Sequence, residues 1–240
     1  FFSNCNMKCV FCQNYKISND GFGKEISIEK LAKIMLKLQK DNAHNINLVS
    51  PTPYIFHIRE AIKIAKNNGL TIPIVYNTNG YENAEALSTL EGFIDIYLPD
   101  LKYFKYSIKY SKTPRYFECA SKAILEMYRQ VGSPVFDDNG MLLKGLMIRH
   151  MMLPGLLFDS KKIADWVIEN LPSAIYLNLM CQYTPMYNAK DHPEINKRLN
   201  HKHYESLIDY AISMGLENGF MQEPDSANEQ YTPIFDLSGV

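Results

Sequence analysis

The feature that most constrains this chain is an alternation of short apolar runs with amphipathic helical patterns. The runs are INLV (46–49), IPIVY (72–76), FIDIYL (93–98), GLMIRHMML (145–153) and AIYLNLMCQ (174–182). FIDIYL alternates apolar and polar as a strand does, and the later runs are almost continuously apolar. Strands covered on both faces, as in a parallel sheet, read this way. Between the runs lie helix patterns at 27–40, 55–69, 121–131, 160–171 and 201–215. In the first, Leu31, Ile34, Met35 and Leu38 form an i, i+3, i+4, i+7 stripe, Ser27 is the candidate N-cap, and Lys30, Lys33, Lys37 and Lys40 face water. The second stops at Asn68-Gly69, a helix-ending pair. Strand and helix in alternation predict an α/β fold with right-handed crossovers. With a first strand ending in FFS, there are about six such units, whereas a full eight-fold barrel typically takes about 250 residues. A partial (β/α)6 TIM-type barrel is therefore expected, with an open doubly wound sheet as the competing arrangement. No linker, low-complexity stretch or composition break divides residues 1–240, so a single domain is expected.

Bulk properties exclude little. The 25 basic and 26 acidic residues give a net charge of -1 and no global pull toward nucleic acid. No apolar run reaches the roughly 20 residues of a membrane span, so no membrane partner is expected. The chain opens FFSNCN without Met, which carries the expectation of a missing preceding segment. Of the five cysteines, three are bunched near the start. Bunching of this kind points to metal or redox use in a reduced compartment, the cytoplasm, and not to a disulfide framework.

That bunch, SNCNMKCVFCQN, holds Cys5, Cys9 and Cys12 in a C-x3-C-x2-C spacing within a polar segment after an apolar Phe-Phe. Thiolates ligate iron–sulfur clusters and zinc, and a loop can wrap a metal centre as a helix cannot. Three protein thiolates on a four-iron cluster would leave one iron open to an external ligand. The competing readings are buried apolar thiols and a structural zinc completed by His44 or Cys181. Ferredoxin-type electron transfer usually takes a fourth cysteine.

CNMKCVFCQN resembles the signature of radical S-adenosylmethionine (SAM) enzymes. The resemblance implies that the three thiolates hold a [4Fe-4S] cluster whose open iron takes the amino and carboxylate groups of SAM. It implies reductive cleavage of SAM to a 5′-deoxyadenosyl radical that abstracts hydrogen, with Phe11 shielding the cluster. Matches further along resemble the pyruvate formate-lyase activating enzymes. LVSPTPY aligns with the family's Gly-Gly-Glu/Asp-Pro stretch, with Ser50 where the acid usually stands. A backbone carbonyl or the hydroxyls of Ser50 and Thr52 are then the candidate acceptors for the SAM ammonium, without the acid's charge. YNTNG places Asn77 and Asn79 on an Asp-Thr-Asn-Gly pattern, and YLPDLKY puts Asp100 and Lys102 toward the amino-acid end and ribose of SAM. IRHMMLPG brings Arg149 toward SAM, and Met180 falls near a position often held by His. All of these positions fall at expected C-terminal strand ends, the face on which α/β folds build their sites.

The resemblance implies a glycyl residue of a partner protein as the hydrogen donor, and an external electron donor such as flavodoxin or ferredoxin. Another peptide or a small molecule is the alternative substrate, and a zinc-bound binding module is the alternative outside enzymology. Cys119 and Cys181 read as packed thiols. His201 and His203, two apart on a helix, point to different faces. DGFGKE has too few glycines for a dinucleotide loop. Tyr183 and Tyr187 are candidates for a substrate channel or for core, and MQEPDSANE (221–229) for a cover over the barrel mouth or a partner contact.

Overall fold

The computed structural model describes residues 1–222 and 235–239. In chain order the elements are α1 (Tyr15–Ser18), α2 (Ile28–Lys40), β1 (Ile46–Val49), α3 (Ile55–Asn67), β2 (Ile74–Thr78), α4 (Ala84–Ser88), β3 (Ile96–Pro99), α5 (Ser107–Ser111), α6 (Tyr116–Val131), β4 (Val135–Phe136), β5 (Leu142–Met151), α7 (Leu157–Asn170), β6 (Tyr176–Met180) and α8 (His201–Ser213). Short 3-10 turns at Thr52–Tyr54 and Tyr187–Asp191 complete the set.

Strands β1, β2, β3, β5 and β6 pair in parallel, each with the next. The sheet therefore follows chain order and never reverses direction. This order separates the two arrangements that the sequence left open. A doubly wound sheet reverses its order at a switch point, which sends helices to both faces. Right-handed crossovers that always step the same way keep the helices on one side and let the sheet curl. The fold is mixed α/β of the partial TIM-barrel type. The expected strand at FFS is reduced to one backbone bond, from Phe2 N–H to Val49 O at 2.9 Å. At the far edge, Leu177 N–H donates to Asn218 O at 3.1 Å and Leu179 bridges Met221 in parallel. The tiny strand β4 is antiparallel to the start of β5 and stands outside the crossover scheme.

The helices form for legible reasons. Ser27 caps α2 by accepting from Lys30 N–H at 3.1 Å. In α3 the buried residues are Ile55, Ile58, Ala61, Ile62 and Ala65, the expected stripe. The α2 stripe is rotated from expectation: Ala32 and Met35 are the buried positions and Leu38 is exposed. Helix α2 packs against α3 and β1, and Ala32 and Met35 are its residues that join the buried core. Helix α6 begins at Tyr116, ahead of its expected start at 121, because the buried Tyr116 ring anchors its first turn. Among the described residues, no helix is long and apolar enough to cross a membrane. The MQEPDSANE segment lies outside the described residues from 223 onward.

Candidate functional site

The C-terminal ends of the parallel strands carry nearly every residue singled out above. The cysteine loop is pinned there by backbone bonds: Lys8 N–H to Ser111 O (3.0 Å), Val10 N–H to Tyr110 O (2.8 Å) and Asn188 N–H to Val10 O (2.8 Å). Each thiol meets a polar neighbour. Asn79 Nδ2 donates to Cys5 Sγ at 3.2 Å and to Asn6 Oδ1 at 2.8 Å. Ser111 Oγ donates to Cys9 Sγ at 3.0 Å and is itself linked to Tyr103 Oη at 2.8 Å. Burial pushes the Cys9 thiol up to about 11, while Lys102 and the Ser111 hydroxyl pull the other way. Burial likewise raises Cys12, opposed by a bond to Ser18. Phe11 is buried beneath the loop, edge-on to Tyr183 with ring centroids 5.6 Å apart.

Beside the thiols lies a charge cluster drawn from three strands. Asp100 takes Lys102 Nζ at 2.6 Å and Arg149 Nη2 at 2.7 Å. Arg149 Nη2 also donates to Asn77 Oδ1 at 2.7 Å. Burial alone would raise the Asp100 carboxyl, but Arg149 and Lys102 outweigh it and hold it below the ordinary aspartate value. Among the described residues, Arg149 Nε is buried with no hydrogen-bond partner.

A third group sits at the ends of β1 and β2. Thr52 Oγ1 donates to Glu82 Oε1 at 2.6 Å, and Thr78 Oγ1 makes a shorter bond to the same oxygen. The turn between Thr78 and Glu82 depends on Gly80. Its φ is +81°, and a Cβ there would stand 2.2 Å from Asp100 O. Tyr116 Oη ties this turn to β3 through Asn79 O and Asp100 O, both at 2.8 Å.

The structure thus brings together Cys5, Cys9, Cys12, Asn79 and Lys102, joins Asn77, Asp100 and Arg149 beside them, and sets Thr52 next to Glu82. Ser50 meets the rest through its backbone: its N–H donates to Asn77 O at 3.0 Å, and its φ is +58°. Met180 ends β6 opposite Met151 of β5. His44 precedes β1 and so lies at the opposite end of the sheet from the thiols, which removes it as a ligand with them. Among the described residues, no three Cys, His, Asp or Glu side chains gather tightly enough to hold one metal ion. His150 is internal structure: its ring nitrogens meet Leu101 O (2.7 Å) and Ser160 Oγ (2.8 Å), and burial lowers its pKa to about 4. Tyr183 is buried core, whereas Tyr187 stacks on Tyr15 at 4.7 Å. Cys181 is buried and Cys119 half-buried. Glu82 and Ser111 were missed. Glu82 carried a weak signal, an acid just past the Asn79-Gly80 turn, and Ser111 carried none.

Comparison with known proteins bears on what such an arrangement is. The uncharacterized protein MJ0674 of Methanocaldococcus jannaschii is 33% identical over 231 residues, covering 90% of this chain and 62% of the relative. The fold is similar to that of Streptococcus suis SuiB, at 14% identity over 92% of this chain. The TM-score is 0.64 for SuiB bound to S-adenosylmethionine, covering 49% of that chain, and 0.63 for SuiB bound to precursor peptide SuiA, covering 47%. It is also similar to a domain of pyruvate-formate lyase-activating enzyme from Bacteroides vulgatus, with a TM-score of 0.50 at 14% identity over 75% of this chain and 98% of that one. The chain thus spans less than two thirds of the curated relative and about half of SuiB. The model of the radical SAM superfamily matches residues 1–167, from the thiol loop through strand β5 into α7. By that match the chain belongs to the radical SAM superfamily, enzymes whose cofactors are a [4Fe-4S] cluster and S-adenosylmethionine.

Proposed function

We propose that Cys5, Cys9 and Cys12 hold the cluster and that the Asp100, Lys102, Arg149 and Thr52 side of the site holds SAM, for hydrogen abstraction from a peptide or protein substrate. The observation that carries this reading is the convergence of three thiols with a hydrogen-bonded polar shell at one end of a parallel sheet. The donor set fits the cluster. A cube binds each thiolate through a separate iron, so its ligands need not crowd around one point as a zinc site demands. Hydrogen bonds from Asn79 and Ser111 to sulfur are the kind that tune cluster potential. The unpartnered Arg149 Nε fits an anionic group such as a carboxylate. When bound, the cluster and SAM supply a 5′-deoxyadenosyl radical that takes a hydrogen atom. The protein's part is to hold both in place, with Phe11 and Tyr183 excluding water beneath the loop and Met180 at the sheet's far end.

For the substrate we favour a glycyl residue of a partner protein, supported by the likeness to an activating-enzyme domain. SuiB, crystallised with a precursor peptide, supports a peptide substrate more broadly. An external flavodoxin or ferredoxin would supply the electron, in the cytoplasm. The test uses reconstituted protein, reductant, SAM and a glycyl-radical partner deuterated at glycine. Deuterium should appear in 5′-deoxyadenosine; deuterium-free product in the partner's presence would exclude this substrate and favour another peptide.

A further inference from the structure

Just after β1, where the sequence resemblance implies a carboxylate, this chain has Ser50. A carboxylate nonetheless reaches the same corner from another element. Glu82 is 6% exposed and comes from the turn after β2, folded back by Gly80 so that its Oε1 receives both Thr52 and Thr78. We propose that Glu82 supplies, through the Thr52 hydroxyl, the negative charge that holds the ammonium end of SAM. The inference rests on the reading of the site as a SAM site.

The contrast with Asp100 argues for it. Asp100 is half-buried against two cations, so its charge is already matched. Glu82 is buried against hydroxyls, and burial lifts its carboxyl to about 7 despite the bonds from Thr52 and Thr78. A buried acid paired only with neutral donors gains most from an incoming cation. Thr52 is half-buried and bonds directly to the buried Glu82 carboxylate. A hydroxyl has one proton, and Thr52 spends it on Glu82, which leaves its oxygen lone pairs as acceptors. A hydroxyl that donates to a carboxylate is polarised into a better acceptor, and an ammonium placed on it feels the charge behind. Glu82 is thus a positioning residue that acts through Thr52.

The experiment measures equilibrium binding of two ligands to the anaerobically reconstituted full chain: SAM, and 5′-methylthioadenosine, which lacks the amino-acid end. Glu82→Gln keeps the shape and the acceptor oxygen but removes the charge. It should raise the SAM Kd about tenfold and leave the methylthioadenosine Kd within about twofold, as loss of one charge-assisted contact predicts. Thr52→Val, which removes the relay hydroxyl and leaves the Glu82 carboxyl in place with its Thr78 bond, should give the same SAM-selective loss. Equal weakening of both ligands would make Glu82 merely structural and overturn the proposal, as would unchanged SAM binding in Glu82→Gln. Wild-type protein that binds methylthioadenosine but not SAM, or neither, would overturn the SAM-site reading itself.

Discussion

Cys9→Ala should leave a folded protein that takes up no stable cluster and forms no 5′-deoxyadenosine from SAM. Of the three thiols, Cys9 is the most tightly set: Ser111 Oγ donates to it at 3.0 Å, and the Lys8 and Val10 backbone bonds hold its loop on either side. Alanine removes one of the three thiolates proposed to hold the cluster, and the two that remain cannot replace the missing anchor on a cube. The fold should survive, because those backbone bonds do not involve the thiol. Absorbance near 400 nm, iron content and product formation check the prediction together, with circular dichroism reporting the fold. Persistent colour and turnover would show that Cys9 is not a ligand.

Asp100→Asn should cost about 3 kcal/mol of stability, near the low end for breaking a buried ion pair. The substitution keeps the shape but leaves Lys102 and Arg149 facing each other in a site where both are only about one-fifth exposed (18% and 23%). Urea unfolding at neutral pH measures the loss as a lowered midpoint. The pH dependence has a definite sign. Arg149 and Lys102 hold the Asp100 carboxyl below its ordinary value. The stabilisation is therefore fully present above the unfolded-state pKa of about 4 and fades as the pH falls through the lower folded value. The gap between wild type and variant should stay constant from pH 6 to 8 and close only in strong acid. A gap that opens as the pH falls would contradict the charge assignment.

Much of this architecture could be read from the residues themselves. The INLV run is β1 without change, and the stripe of α3 is the buried face. Asp100 and Lys102 were legible because they follow an apolar run, and Arg149 because it interrupts one, and strand ends converge wherever strands run parallel. Other parts lay beyond local pattern. Ser111 meets Cys9 across 102 residues, so nothing near either one announces the contact. Glu82 meets Thr52 only because the Gly80 turn folds it back, a contact across 30 residues that local pattern does not show. Leu38 satisfied the helical period of α2, yet Ala32 is buried and Leu38 exposed, a choice made by the elements that α2 packs against. The competing sheet arrangements share one hydrophobic pattern and differ only in strand order, which local sequence does not encode.

Iron and sulfide analysis of the anaerobically reconstituted protein, combined with identification of the products formed from SAM under reduction, tests the central claim most directly. The expected result is about four irons and four sulfides per chain, with 5′-deoxyadenosine and methionine released. A single zinc without sulfide, or a full cluster that leaves SAM intact, would contradict it.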